Sequence, residues 1–127
     1  MSFIVLDAGA LIAIERGSRR VQALLERIRT HGMTILVPAG VVAEVWRNGA
    51  RQARIAKLLA AVETEVVALD DVRARAAGVL LGNTASDDVI DASVVLCARE
   101  RGARVTVLTS DTADLRKLDG ALSIVAI

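Results

Sequence analysis

A carboxylate among apolar residues is costly unless it is paired or binds a metal, and four of the chain's fifteen acids stand in such places. Asp7 follows Phe3-Ile4-Val5-Leu6, and Asp111 follows Val105-Thr106-Val107-Leu108-Thr109-Ser110. Glu44 lies between Val41-Val42-Ala43 and Val45-Trp46, and Asp91 between Val89-Ile90 and Val94-Val95-Leu96. Gathered in one pocket, such groups could not all stay ionised without a cation, because like charges raise one another's pKa. An all-oxygen ligand set selects hard ions such as Mg²⁺ or Mn²⁺ over zinc. The one histidine, His31, and the one cysteine, Cys97, which reads as core, leave no soft-ligand cluster. Mg²⁺ keeps waters and takes phosphate oxygens; it polarises a phosphoryl oxygen and lowers the pKa of an attacking water. The chemistry implied is phosphodiester hydrolysis.

Each acid also has an ordinary role open to it. Asp7 and Asp111 could each cap the helix that follows, Asp91 gains from the macrodipole in a first helical turn, and Glu44 could pair with Arg47 or Asn48. Asp87 and Asp88, one turn before Asp91, compete with it. The remaining acids raise no such question: Asp70 and Asp71 read as a cap, and Glu15, Glu26, Glu63, Glu65, Glu100 and Asp119 have polar or basic neighbours.

The elements that must position these groups follow from periodicity. A continuous apolar run ending in a turn signal predicts a buried parallel strand, which puts Asp7 at the carboxyl end where α/β sheets bind ligands. Further strands are predicted over 34–37, 66–69, 105–109 and 122–127. Helices are predicted over 10–16, 19–30, 39 to about 48, 50–61, 71 to about 81 and 89–100, with a short one around Asp114. Pro38 is expected at the first position of its helix. The alternation gives an α/β domain with a parallel sheet covered on both faces by right-handed crossovers. One domain over residues 1–127 suffices, burying roughly two thirds of its unfolded surface.

The ordered set of acids resembles the PIN-domain ribonucleases, especially VapC toxins of toxin–antitoxin modules. The carrying stretches are Ile4-Val5-Leu6-Asp7-Ala8-Gly9-Ala10-Leu11-Ile12-Ala13, Val41-Val42-Ala43-Glu44-Val45, Asp91-Ala92-Ser93-Val94-Val95 and Thr109-Ser110-Asp111. The resemblance implies a three-layer α/β/α fold with a central, mainly parallel five-stranded sheet. It implies that Asp7, Glu44, Asp91 and Asp111 are metal-binding and catalytic acids, with Asp114 accessory, in a Mg²⁺-dependent endoribonuclease. It further implies a homodimer and a cognate antitoxin. Gly9 departs from the pattern, since many relatives carry Ser or Thr there; a hydroxyl could orient a carboxylate or water, and its loss predicts weaker metal binding.

Composition narrows the partners. The formal net charge of +1 gives no global basic field. Lys57 and Lys117 are the only lysines among 16 basic residues, and arginine's rigid donor fork suits phosphate. Arg47, Arg51 and Arg54 are spaced to share a helical face if the break at Gly49 is mild, and Arg16, Arg19 and Arg20 form a second group. They read either as phosphate holders for RNA or as a solvated, salt-bridged face. Trp46 reads as core or interface rather than a base-stacking platform, and the apolar residues between Glu44 and Leu59 as a surface for a second copy or an antitoxin. No apolar run approaches the ~18 residues of a membrane span, and a signal-peptide pattern is missing, so a cytoplasmic protein is expected. The rivals are a metal phosphoesterase acting on DNA and a non-catalytic binding module. A receiver-like phosphoacceptor lacks its acid and lysine, and no GxGxxG or Walker loop occurs.

Overall fold

The structure is a computed structural model describing residues 2–102 and 104–127. Its centre is a five-stranded, wholly parallel sheet in the order β3-β2-β1-β4-β5. The strands are β1 (Phe3–Leu6), β2 (Thr34–Pro38), β3 (Thr64–Val67), β4 (Val105–Thr109) and β5 (Ser123–Ala126). The chain winds outward from β1 through β2 to β3, then returns to β1's other side for β4. Strand order therefore reverses between β1 and β4, which is where an open α/β sheet leaves a crevice at its carboxyl edge. Register aligns Leu6 with Leu108, so the residues that follow both strands emerge side by side.

The helices are α1 (Ala8–Glu15), α2 (Arg19–Thr30), α3 (Ala39–Val45), α4 (Ala53–Ala60), α5 (Asp71–Thr84), α6 (Val89–Glu100) and α7 (Thr112–Leu118). Val5, Leu6, Leu36, Val37 and Val107 are fully enclosed because helices lie on both faces. In α2, Val21, Leu25 and Ile28 face the core, Ser18 Oγ accepts from Val21 N as N-cap, and Gly17 supplies the left-handed residue (φ 74°) before it. α6 packs against β1, β2 and β4 and buries Ala92, Val94, Val95 and Cys97. Burial pushes the Cys97 thiol up to about 11, as an inert core cysteine requires.

Several limits shift by a residue or two, with α1 starting at Ala8 rather than 10 and β3 ending at Val67 rather than 69, and four departures have an identifiable structural cause. β3 begins at Thr64 rather than 66, because this edge strand pairs on one side only and tolerates the polar Thr64 and Glu65 opposite Ile35 and Leu36. Pro38 is the last residue of β2 and the N-cap of α3, not its first helical residue. α5 runs through Gly82 to Thr84 and ends on Ala85, a non-glycine residue at φ 52°.

The fourth departure is the break after α3. The helix stops at Val45, Trp46 is extended, and Gly49–Arg51 forms an isolated 3₁₀ turn before α4. Gln52 holds the break. Its Oε1 accepts from Arg47 N (2.8 Å) and Asn48 N (3.0 Å), while its Nε2 donates to Val45 O (2.9 Å). Three backbone groups orphaned by the interruption are thus satisfied by one buried amide. Among the described residues no helix is long and apolar enough to cross a membrane.

Candidate metal centre

Asp7 emerges from β1 directly into the first turn of α1, and its side chain is nearly buried, at 5% exposure. Oδ1 accepts from Ala8 N (2.7 Å) and Oδ2 from Thr109 Oγ1 (2.8 Å). It is both a helix cap and a member of an acidic edge. Asp111 follows β4 and holds the N-cap position of α7, yet its side chain makes no capping hydrogen bond there. Asp91 is in the first turn of α6, where the capping group is Asp88, whose Oδ1 accepts from Asp91 N at 2.9 Å. Asp88 is accounted for as a cap, and Asp87 is exposed on the approach to it. Both line, with Asp91, Asp114 and Lys117, a cleft of about 330 Å³.

One carboxylate oxygen each from Asp91, Asp111 and Asp114 lies within 4.8 Å of the other two. Asp7 and Glu44 are outside that trio but inside its field. Burial first, then repulsion from Asp88, Asp7, Asp111 and Asp114, pushes the Asp91 carboxyl up to about 7. Asp111 is raised by loss of water, by Asp114 and by Asp7. Glu44, exposed on α3, is raised by loss of water and by Asp7 and Asp88. Like charges thus meet at the β1–β4 crevice from five elements. Among the described residues Asp7, Glu44, Asp91 and Asp111 make no ion pair, and Asp114 meets only Lys117, at 3.6 Å. Glu44 does not pair with Arg47, whose Nη1 donates instead to the carbonyls of Ala43 and Trp46. A set of oxygen donors with mutually raised pKa values and so little countercharge fits a hard divalent cation.

Gly9 lies beside this edge with its space already taken. A Cβ at Gly9 would collide with Ser110 Oγ and come within 2.8 Å of Ser110 Cβ. A serine hydroxyl from the end of β4 therefore occupies the position a side chain at 9 would claim. Adjacent Thr109, fully buried, donates to Asp7 and accepts from Asp111 N at 2.9 Å. In the sequence Thr109 was indistinguishable from an ordinary β-branched strand residue, and its only signal was a hydroxyl at the last strand position before an acid.

The arginines are arranged differently from the expectation. The break at 46–52 removes the continuous helix that was to align Arg47, Arg51 and Arg54. Tertiary docking brings them near one end of α1 instead: Arg54 Nη1 donates to Glu15 O (3.1 Å) with its guanidinium over Gly17, and Glu15, Arg47 and Arg51 line a cleft of about 310 Å³. Arg16 and Arg19 are exposed close by in the chain, and Arg20 binds the Ala126 carbonyl. Asp7 is at the other end of α1, a helix of 8 residues, so roughly 12 Å separates the acidic and basic ends. Trp46 is not core; it is 38% exposed, with its ring over Gly49. Ile55 and Leu58 turn inward, so Trp46 is the only large apolar residue exposed between Glu44 and Leu59 among the described residues.

Solved structures that share this fold include two at low sequence identity. VapBC2 from Rickettsia felis, in a crystal structure with a DNA fragment from its promoter, superposes with a TM-score of 0.71 at 15% identity, covering 98% of each chain. FitAcB from Neisseria gonorrhoeae gives 0.60 at 17% identity over 95% of each chain. A search of curated proteins found no match. The family model described as the PIN domain matches residues 4–121, from the strand that delivers Asp7 past the helix that carries Asp114, and the chain belongs to the PIN domain family.

Proposed function

We propose that this PIN domain is a metal-dependent endoribonuclease and the toxin of a toxin–antitoxin pair. Asp7, Glu44, Asp91 and Asp111 would hold Mg²⁺ or Mn²⁺, with Asp114 as an accessory ligand. The observation that carries the reading is the gathering of Asp91, Asp111 and Asp114 within 4.8 Å, poorly countercharged and with Asp7 and Glu44 inside their field, at the β1–β4 switch. When bound, the cation supplies Lewis acidity at a phosphodiester and activates water. The chain's own contribution is geometric and electrostatic. Ala8 N and Thr109 Oγ1 fix both oxygens of Asp7, and the helix dipole of α6 favours the ionised form of Asp91 once a cation is present. Arg47, Arg51 and Arg54, with Arg16 and Arg19, would hold RNA phosphates and set the strand's path without reading its sequence.

The fold neighbour in a VapBC complex supports a protein partner for this chain. A homodimer is supported by α5, which leaves Val72 77% and Val79 64% exposed along one face. With Trp46, exposed in the 44–59 segment, that face offers apolar side chains to a second copy or an antitoxin. The deciding experiment is Mg²⁺- or Mn²⁺-dependent cleavage of structured RNAs and of matched DNAs by the wild type and Asp7→Asn. RNA cleavage that needs the metal and is lost in Asp7→Asn is expected. Preference for DNA would overturn the ribonuclease assignment, and activity that survives the substitution or needs no metal would overturn the mechanism.

A further inference from the structure

We infer that Thr109 is a positioning residue: its single hydroxyl joins the Asp7 carboxylate to the Asp111 backbone and sets the two acids' spacing for a divalent cation. The inference rests on the metal-site reading above. The geometry fixes the polarity of the link. An ionised carboxylate can only accept and a backbone N–H can only donate. The Thr109 proton must therefore point to Asp7 Oδ2 (2.8 Å), leaving an oxygen lone pair for Asp111 N (2.9 Å). Thr109 is wholly enclosed and Asp7 nearly so, which leaves little room for water to take over the link.

The hydroxyl's two partners belong to the two strands on either side of the topological switch. Asp7 N donates to Leu108 O at 3.1 Å, and the Thr109 side chain extends that ladder by one further connection, now through a side chain. Ser110 reinforces the same junction from its other side by filling the space above Gly9. Without the hydroxyl, Asp7 keeps its bond from Ala8 N but loses the constraint on Oδ2, and the carboxylate is free to turn about its χ angles. Outer partners of ligating carboxylates typically contribute 10–100-fold in metal affinity.

The test separates the hydroxyl from the methyl group. Mn²⁺ binding is measured by electron paramagnetic resonance and by titration calorimetry on wild type, Asp7→Asn, Thr109→Val and Thr109→Ser, with urea unfolding of each in chelator. Thr109→Val keeps shape and loses the hydroxyl; it should bind Mn²⁺ about 10–100-fold more weakly. Thr109→Ser keeps the hydroxyl and should bind within about threefold of wild type, even where loss of the buried methyl lowers its unfolding midpoint. A merely structural role would make affinity follow stability across the two variants. Wild-type affinity in a folded Thr109→Val would overturn the inference while Asp7→Asn still reports the site. No Mn²⁺ binding by wild type would overturn the metal-site reading and this inference with it.

Discussion

Asp91→Asn should stabilise the metal-free protein and abolish its response to metal. The Asp91 carboxyl is pushed from its ordinary 3.8 to about 7, by burial and then by Asp88, Asp7, Asp111 and Asp114. At 1.36 kcal/mol per pKa unit that displacement corresponds to about 4 kcal/mol if fully expressed. Asp91 is only partly buried, and solvent screening reduces the figure to about 1.5 kcal/mol. Removing the charge from the first turn of α6 forfeits about 0.5 kcal/mol of helix-dipole interaction, leaving a net gain of about 1 kcal/mol. The sign follows from proton binding. Between pH 3.8 and about 7 the folded state holds a proton at Asp91 that the unfolded state has released, so ionisation favours unfolding as pH rises. The advantage of Asp91→Asn should be smallest near pH 4, grow through pH 7 and then level off. Urea unfolding in chelator across that range measures it. Added Mn²⁺ should then raise the wild-type midpoint, increasingly so towards higher pH as the bound proton is displaced, and leave the variant unchanged. A variant less stable than wild type at pH 8 in chelator, or a difference that does not vary with pH, would refute the reasoning.

Other consequences are open to direct measurement. Gly9→Ala should destabilise by about 1–3 kcal/mol, because its Cβ is driven into the Ser110 side chain; Ser110→Gly in the same molecule should recover only part of this, since Ser110 N would still be 3.1 Å away. Ala85→Gly should stabilise by about 0.5–1 kcal/mol in thermal or urea unfolding, by relieving a left-handed alanine at the end of α5. A lower midpoint would show that the unfolded-state entropy of glycine wins. Arg51→Glu, which reverses an exposed charge at the cleft beside Glu15, should weaken RNA binding and lower its salt dependence by about one phosphate contact. Trp46, the only tryptophan in a chain without tyrosine, reports the binding through its fluorescence. An unchanged salt slope would remove that end of α1 from the RNA path.

The order of elements was legible because its causes are local. Phe3–Leu6 is a continuous apolar run that suits only a strand buried on both faces, and Val21, Leu25 and Ile28 recur at helical spacing behind an N-capping Ser18. Errors appeared where one element's limits depended on another. β3 starts where β2 offers partners, at Thr64, not where its own residues become apolar. The helix between Pro38 and Ala60 breaks where Gln52 can satisfy the loose backbone groups, and nothing in Asn48-Gly49 announces the length of the interruption.

The candidate site divides along the same line. Sequence alone picked out Asp7, Glu44, Asp91 and Asp111 as carboxylates flanked by apolar residues along the chain; in the fold Asp7 is nearly buried, Asp91 half-buried, and Glu44 and Asp111 exposed. Only the tertiary structure decided how they are grouped. The reversal of strand order sets Asp7 beside the residues after β4, the trio within 4.8 Å includes Asp114 rather than Glu44, and Asp88 is taken as a cap. The Thr109 link and the Ser110 side chain over Gly9 depend on contacts about a hundred residues apart in the chain. Local pattern reports the environment of one residue at a time, whereas distance and hydrogen-bond direction between two strands exist only once the sheet has registered them.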